Sequence, residues 1–271
     1  MPTVVTAIAI SMKDAVVNFG PPFVAGLLVM ILVRLVFVPR VAAAAVAEGR
    51  GAAVLASVAG MLGAVPSGDG PERRVAALSE LAAPLPAILL SAVLAPAAAG
   101  ARFLIAIISS LVLARFAPSA SDAMAWPRDE PGDGPWRRAV AVALLDRYAN
   151  ALMLAAVAAG IISYAVPDGL VSGLLGSAHW YAPLVGILLG AVVPAGGGAE
   201  VIVAATLFAK GAGLPAILAL IVLAPLVNVW VFRRLMPDLS RARLAALSAG
   251  AAGLALSLSI AASFLPGMHG V

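Results

Sequence analysis

The stretch WYAPLVGILLGAVVPAGGGAEVIVAATLFAKGAGLPAILALIVLAPLVNVWVF, Trp180–Phe232, decides the reading of this chain. An apolar run, Tyr181–Val193, stops at Pro194, passes through Ala195 and Gly196, Gly197 and Gly198, meets the acid Glu200, and resumes apolar to Ala209. A second apolar run, Leu214–Phe232, has Asn228 as its polar residue. Proline lacks a backbone donor and consecutive glycines leave the backbone unrestrained, so a helix is expected to break here. In lipid, a broken backbone is tolerated only where protein or a water-filled cavity satisfies the groups set loose. A carboxylate beside such a break is costly in a bilayer and marks a functional candidate.

Working outward, the composition fixes the class. Of 271 residues, 63% are hydrophobic and 11% charged, far from the balance of a soluble domain, and an all-α polytopic membrane protein is predicted. The net charge of +4 comes from basic residues in short loops between apolar runs, as expected of membrane topology and not of nucleic-acid binding. The chain has no cysteine, which excludes disulfides, thiolate metal sites and thiol redox chemistry. No cleavable-signal pattern is read at the N-terminus, where Lys13 follows the apolar Met1–Met12; the cytoplasmic (inner) membrane of a prokaryote is the expected location.

The hydrophilic, Pro/Gly/Asp/Arg-rich Pro118–Arg138 divides the chain, giving a first membrane repeat over 1–116, a linker over 117–146 and a second repeat over 147–271. The halves resemble each other. Met61–Val75 aligns with Leu188–Val203, so that Pro66 falls on Pro194 and Glu72 on Glu200, and Leu85–Pro96 (LPAILLSAVLAP) aligns with Leu214–Pro225 (LPAILALIVLAP). Pro66, Gly68 and Asp69 are thus the first-half counterpart of the break at Pro194–Gly198. If Gly51–Ala83 and Tyr181–Lys210 are re-entrant hairpins, each half keeps three crossings: Ala15–Val38, Pro84–Ala99 and Ala101–Phe116, then Arg147–Val166, Leu214–Phe232 and Leu244–Leu265. An odd number of crossings makes the repeats inverted. Most arginines then share the cytoplasmic side, while Lys13, Arg102 and Lys210 fall on the far side. A single broken helix in place of the two short crossings would make the repeats parallel.

In the inverted arrangement the two breaks meet near the midplane, where transporters of this architecture bind substrate and coupling ions. The arms after each break start with unpaired amides and a positive dipole end. Glu72 and Glu200, in the first turns of those arms, would carry a coupling proton or cation. Asn228 and the break residues would line the path, and Pro96 and Pro225 are candidate gating hinges. Each has a plainer alternative: Glu200 as a structural partner for Lys210 or for exposed amides, Glu72 as a partner of Arg73 and Arg74, Asn228 as an interhelical hydrogen bond, the prolines as simple kinks, Asp69 as a helix cap. Arg73 and Arg74 could instead attract an anionic substrate.

A hydrophobic arm ending in Pro, a Gly-rich break, an arm closing on Lys-Gly and a helix with Ala-Pro-x-x-Asn, partly duplicated, resembles the bacterial predicted-permease family that includes the organoarsenical efflux permeases. The matching residues are Pro194-Ala195-Gly196-Gly197-Gly198, Lys210-Gly211 and Ala224-Pro225-Leu226-Val227-Asn228, with Pro66–Gly70 in the first half. The resemblance implies a permease fold and an efflux role. It does not extend to the Cys-x-Cys-Gly element of the family's metalloid carriers, since Gly196 and Gly198 stand at those places, nor to Asn in the first-half copy, where Ala99 stands.

Enzyme chemistry finds no support. His179 and His269 form no HExxH motif, and neither a Gly-x-Ser-x-Gly elbow nor a Walker A sequence is present. The expected function is a secondary permease exporting a small solute or ion by alternating access, in contact with membrane lipid and needing neither metal nor cofactor. The alternative from another class is a non-transporting membrane scaffold or subunit that retains the permease fold.

Overall fold

Glycine and proline punctuate the apolar sequence into helices of very unequal length. The structure is a computed structural model that describes residues 4–45, 52–62, 71–94, 96–114, 135–193, 198–226, 228 and 241–263. Among these, all regular structure is helical: α1 Val4–Ala45, α2 Ala52–Met61, α3 Pro71–Ala82, α4 Leu85–Leu94, α5 Pro96–Leu113, α6 Pro135–Ala165, α7 Asp168–Leu175, α8 Ala182–Gly190, α9 Ala199–Ala209, α10 Leu214–Leu223 and α11 Arg241–Ser263. Among the described residues, three stretches are long and apolar enough to cross a membrane, Val4–Val33, Arg73–Leu94 and Tyr148–Ala165. The first and third expose most of their side chains, whereas the second is largely interior. Exposed Leu28, Leu32, Leu104, Leu154 and Leu188 give the bundle an apolar outer surface, which suits lipid and not water.

The helix pairs have readable directions. Ser57 meets Ser79 and Gly60 meets Ala76, so α2 and α3 run antiparallel as a tight hairpin. Gly186 lies against Ala216 and Gly190 against Leu220, a constant separation of 30 residues, so α8 and α10 run parallel. The chain therefore has to return between them, and α9 is the return leg. At 1.5 Å per residue α8 and α9 are about 14 and 17 Å long, each about half of a ~30 Å hydrocarbon core. The segments aligned by sequence, α4 and α10, begin and end at the same offset of 129 residues. Their surroundings differ: α10 packs on α8, while α4 packs on α1 and α5. The halves join where α1 meets α6 and where α9 meets α4.

The expected first span, Ala15–Val38, lies within α1, which runs from Val4 to Ala45. One expectation needs correction: Gly100 does not divide two crossings, since α5 runs through it from Pro96 to Leu113. The division lies instead between Leu94, the end of α4, and Pro96, the start of α5, because proline opens a helix well at its first position. Of the linker, residues 135–146 already belong to α6.

Two glycines make opposite predictions. A Cβ at Gly60 would lie 2.0 Å from the Ala76 carbonyl oxygen, whereas one at Gly100 meets nothing within 4 Å. Gly60→Ala should lower stability by about 1–3 kcal/mol through overpacking. Gly100→Ala should be neutral or raise it by about 0.5 kcal/mol. Thermal melts of the detergent-solubilised protein check both, and equal melting shifts would contradict the packing described.

Candidate functional site

A proline removes a donor four residues upstream as well as in place. The carbonyl of residue i in a helix accepts from the amide of i+4, so Pro86 leaves the Ala82 carbonyl, at the end of α3, without its usual donor. Arg102 supplies one: its Nη2 donates to Ala82 O at 3.1 Å. The same guanidinium donates from Nη1 to Ser91 Oγ on α4 at 3.5 Å, and Ser91 Oγ in turn donates to Ala87 O at 2.8 Å. Arg102 Nη2 also pairs with Glu200 Oε1. Arg102 is 2% exposed and Glu200 0%, so this is a buried ion pair that joins α5 of the first half to α9 of the second.

Glu200 owes its position to Gly198. Gly198 caps α9 with φ +95°, a left-handed conformation that favours glycine. A Cβ there would fall 2.5 Å from Ala87 Cα and 3.0 Å from Leu90 Cδ1. Absence of a side chain thus lets the break touch α4, which brings the first turn of α9 within reach of Arg102. The carboxylate in that turn also meets the positive end of the helix dipole.

The second break is treated in the same way. Pro194 leaves the Gly190 carbonyl, at the end of α8, without its i+4 donor. Asn228 Nδ2 donates to Gly190 O at 3.3 Å and to Val193 O, and Asn228 is fully buried. Both polar side chains follow an Ala-Pro pair, Asn228 three residues after Pro225 and Arg102 six after Pro96, one helical turn apart in register.

More polar groups gather on the last turn of α3. Ser79 Oγ lies 2.7 Å from Ser57 Oγ, which is 3.2 Å from Ser110 Oγ, linking α2, α3 and α5. Tyr148 Oη on α6 donates to Glu80 Oε1 at 3.5 Å, and both residues are buried. At the far end of α9, Lys210 pairs with Asp168 at 2.6 Å in an exposed position.

The structure therefore brings Glu200, Gly198 and, through its carbonyl contacts, Asn228 to the two ends of the second break. It puts Pro225 buried in the turn after α10 and Pro96 exposed at the start of α5. Pro66, Gly68, Asp69, Pro194, Gly196 and Gly197 lie outside the described residues, as does the side chain of Glu72. Lys210 is not the partner of Glu200, since it pairs with Asp168. Arg102, expected on the far side with Lys13 and Lys210, is buried within α5, with apolar residues on both sides of it in sequence. A lone arginine within Pro96–Leu113 was the available signal. No cluster of His, Asp and Glu suited to a metal occurs among the described residues. Comparison with protein-family models, curated proteins and solved structures finds no match to this chain.

The ion pair makes a non-additive prediction. Arg102→Met or Glu200→Leu alone leaves a buried charge without its partner and should cost about 3–5 kcal/mol. The double variant should lose clearly less than the two single losses combined, since it removes both charges at once. A double-mutant cycle in thermal melts reads this, and strict additivity would mean that the two charges do not interact.

Proposed function

We propose that this chain is a secondary permease of the cytoplasmic membrane, with several crossings, that moves a small solute or ion by alternating access. The observation that carries the reading is the buried Arg102–Glu200 pair. An apolar bundle gains little from burying two charges, because removing them from water costs several kcal/mol per ion. An ionisable pair at the broken start of a half-membrane helix is where a coupling site is expected. The half-membrane lengths of α8 and α9 and the sequence repeat support two re-entrant hairpins, inverted in orientation, with their breaks facing one another at mid-depth.

In this reading Glu200 is the coupling carboxylate, and the carbonyls and amides of the breaks line the path. Because the pair links the two halves, a proton or cation on Glu200 weakens the link and frees one half to move against the other. Export as the direction rests on the resemblance to efflux permeases. One observation favours the scaffold reading: Glu200 already has a complete partner within the chain.

The absence of cysteine allows a direct test. Single variants Ala195→Cys and Ser67→Cys are probed in intact cells with a membrane-impermeant thiol reagent. Labelling of the Ala195 variant from outside, and of the Ser67 variant only from the cytoplasm, is the expected result. Labelling of both from one face would remove the inverted arrangement. No labelling from either face means dry, packed breaks and leaves the scaffold reading.

A further inference from the structure

The makeup of the Arg102 site bears on the class of substrate, given the permease reading on which this inference rests. The site has two positive elements and one negative. The guanidinium is a permanent cation, and the N-terminus of α9, whose N-cap Gly198 offers no side-chain hydrogen bond, presents amides and a positive dipole end. Glu200 alone in this set can give up its charge, by taking a proton. A cationic substrate that replaced Arg102 at the carboxylate would leave the guanidinium buried beside it, a like-charge arrangement that costs several kcal/mol. An anion that replaces the carboxylate meets no such obstacle.

The guanidinium also has unused capacity. Its Nε is buried and has no hydrogen-bond partner among the described residues, while Nη1 and Nη2 are held by Ser91, Ala82 and Glu200. The Nε and an Nη edge form the fork that binds carboxylates and other planar oxyanions with two parallel hydrogen bonds. The surroundings are small: Ala82, Ala87, Gly198 and Ala199 hold three helices close together.

We propose that Arg102 is the substrate-binding residue, that Glu200 occupies it as a built-in carboxylate when no substrate is bound, and that a small monovalent oxyanion of formate or nitrate size displaces it while Glu200 takes up one proton. Charge balances at each stage. Arg102 with ionised Glu200 is neutral, and Arg102 with the bound anion beside protonated Glu200 is also neutral. Without the proton, the displaced carboxylate would be a buried charge with its cation taken, which is the costly case. A dianion would leave a net negative charge in the same place. The anion and the proton therefore travel together, and the sum of their gradients sets the direction of flux.

The test uses the whole chain in detergent, with formate as the probe and the much larger carboxylate gluconate at equal ionic strength as control. Glu200→Ala opens room for formate beside Arg102. Formate is expected to recover at least half of the melting temperature this variant loses, and to do nothing for the Arg102→Ala/Glu200→Ala double variant. In weakly buffered solution, formate added to the unaltered protein is expected to draw about one proton per chain from solution, and none with Glu200→Gln. Equal response of the single and double variants overturns the proposal, as does absence of proton uptake by the unaltered protein. If Glu200→Ala does not fold, the proton measurement decides alone. Opposed cysteine labelling together with a failed formate response would reject the anion and retain the permease. Failed labelling would reject the permease itself.

Discussion

The guanidinium of Arg102 has to be satisfied in an apolar interior, and much of the packing follows from that need. Its partners are the last carbonyl of α3, a serine on α4 and the carboxylate that opens α9. Holding them at hydrogen-bond distance fixes where α3 ends, how α4 leaves it and how closely α9 approaches. Ala87 and Gly198 are the steric half of the same arrangement, since any larger side chain at Gly198 would push α9 away from the arginine. In a medium without water, a polar group left unsatisfied costs several kcal/mol, so the requirement weighs more than any single apolar contact nearby.

The two prolines show a general economy in broken helices. Pro86 and Pro194 each leave a carbonyl without a donor, at Ala82 and at Gly190. Each is answered by a side chain from the segment that follows an Ala-Pro corner, Arg102 in one half and Asn228 in the other. The chemistry of the two answers differs. Asn228 is neutral and its amide completes the end of α8; Arg102 brings a charge, which then calls for a counter-charge. That asymmetry makes the Arg102 break the more expensive one, and expense of this kind is kept for function or for a strict geometric demand.

How far the sequence could be read followed the physics of each feature. The all-helical, apolar character lay in composition, and the break at Pro194–Gly198 lay in backbone chemistry, so Glu200 and Asn228 stand out in the sequence as the polar residues around it. Helix boundaries set by proline were less visible where a glycine competed for attention: Gly100 drew the boundary that belongs to Pro96, because glycine breaks a helix only weakly while proline at a first turn opens one. Arg102 escaped because charge counting treats arginines as loop markers, a rule about topology that says nothing about an arginine paired in the interior. Its partner lies 98 residues away, and no local pattern encodes that distance. Equal helix bounds in α4 and α10 agree with the sequence repeat, while their different neighbours show that similar segments need not be packed alike.

The polar and steric contacts between the halves act as one latch. A movement that separates α9 from α4 has to lift Gly198 from Ala87 and Glu200 from Arg102 together, because both contacts lie within the first turn of the same helix. The Gly198 contact is dispersion, which fades over less than an ångström of separation. The ion pair is longer in range and, away from water, strong. The latch is therefore stiff while both hold and is governed by charge once they begin to part. Neutralising either charge releases it, whereas loosening the packing alone does not. A site so arranged responds to a proton or an ion far more sharply than to mechanical strain, which is what the proposed permease role would require.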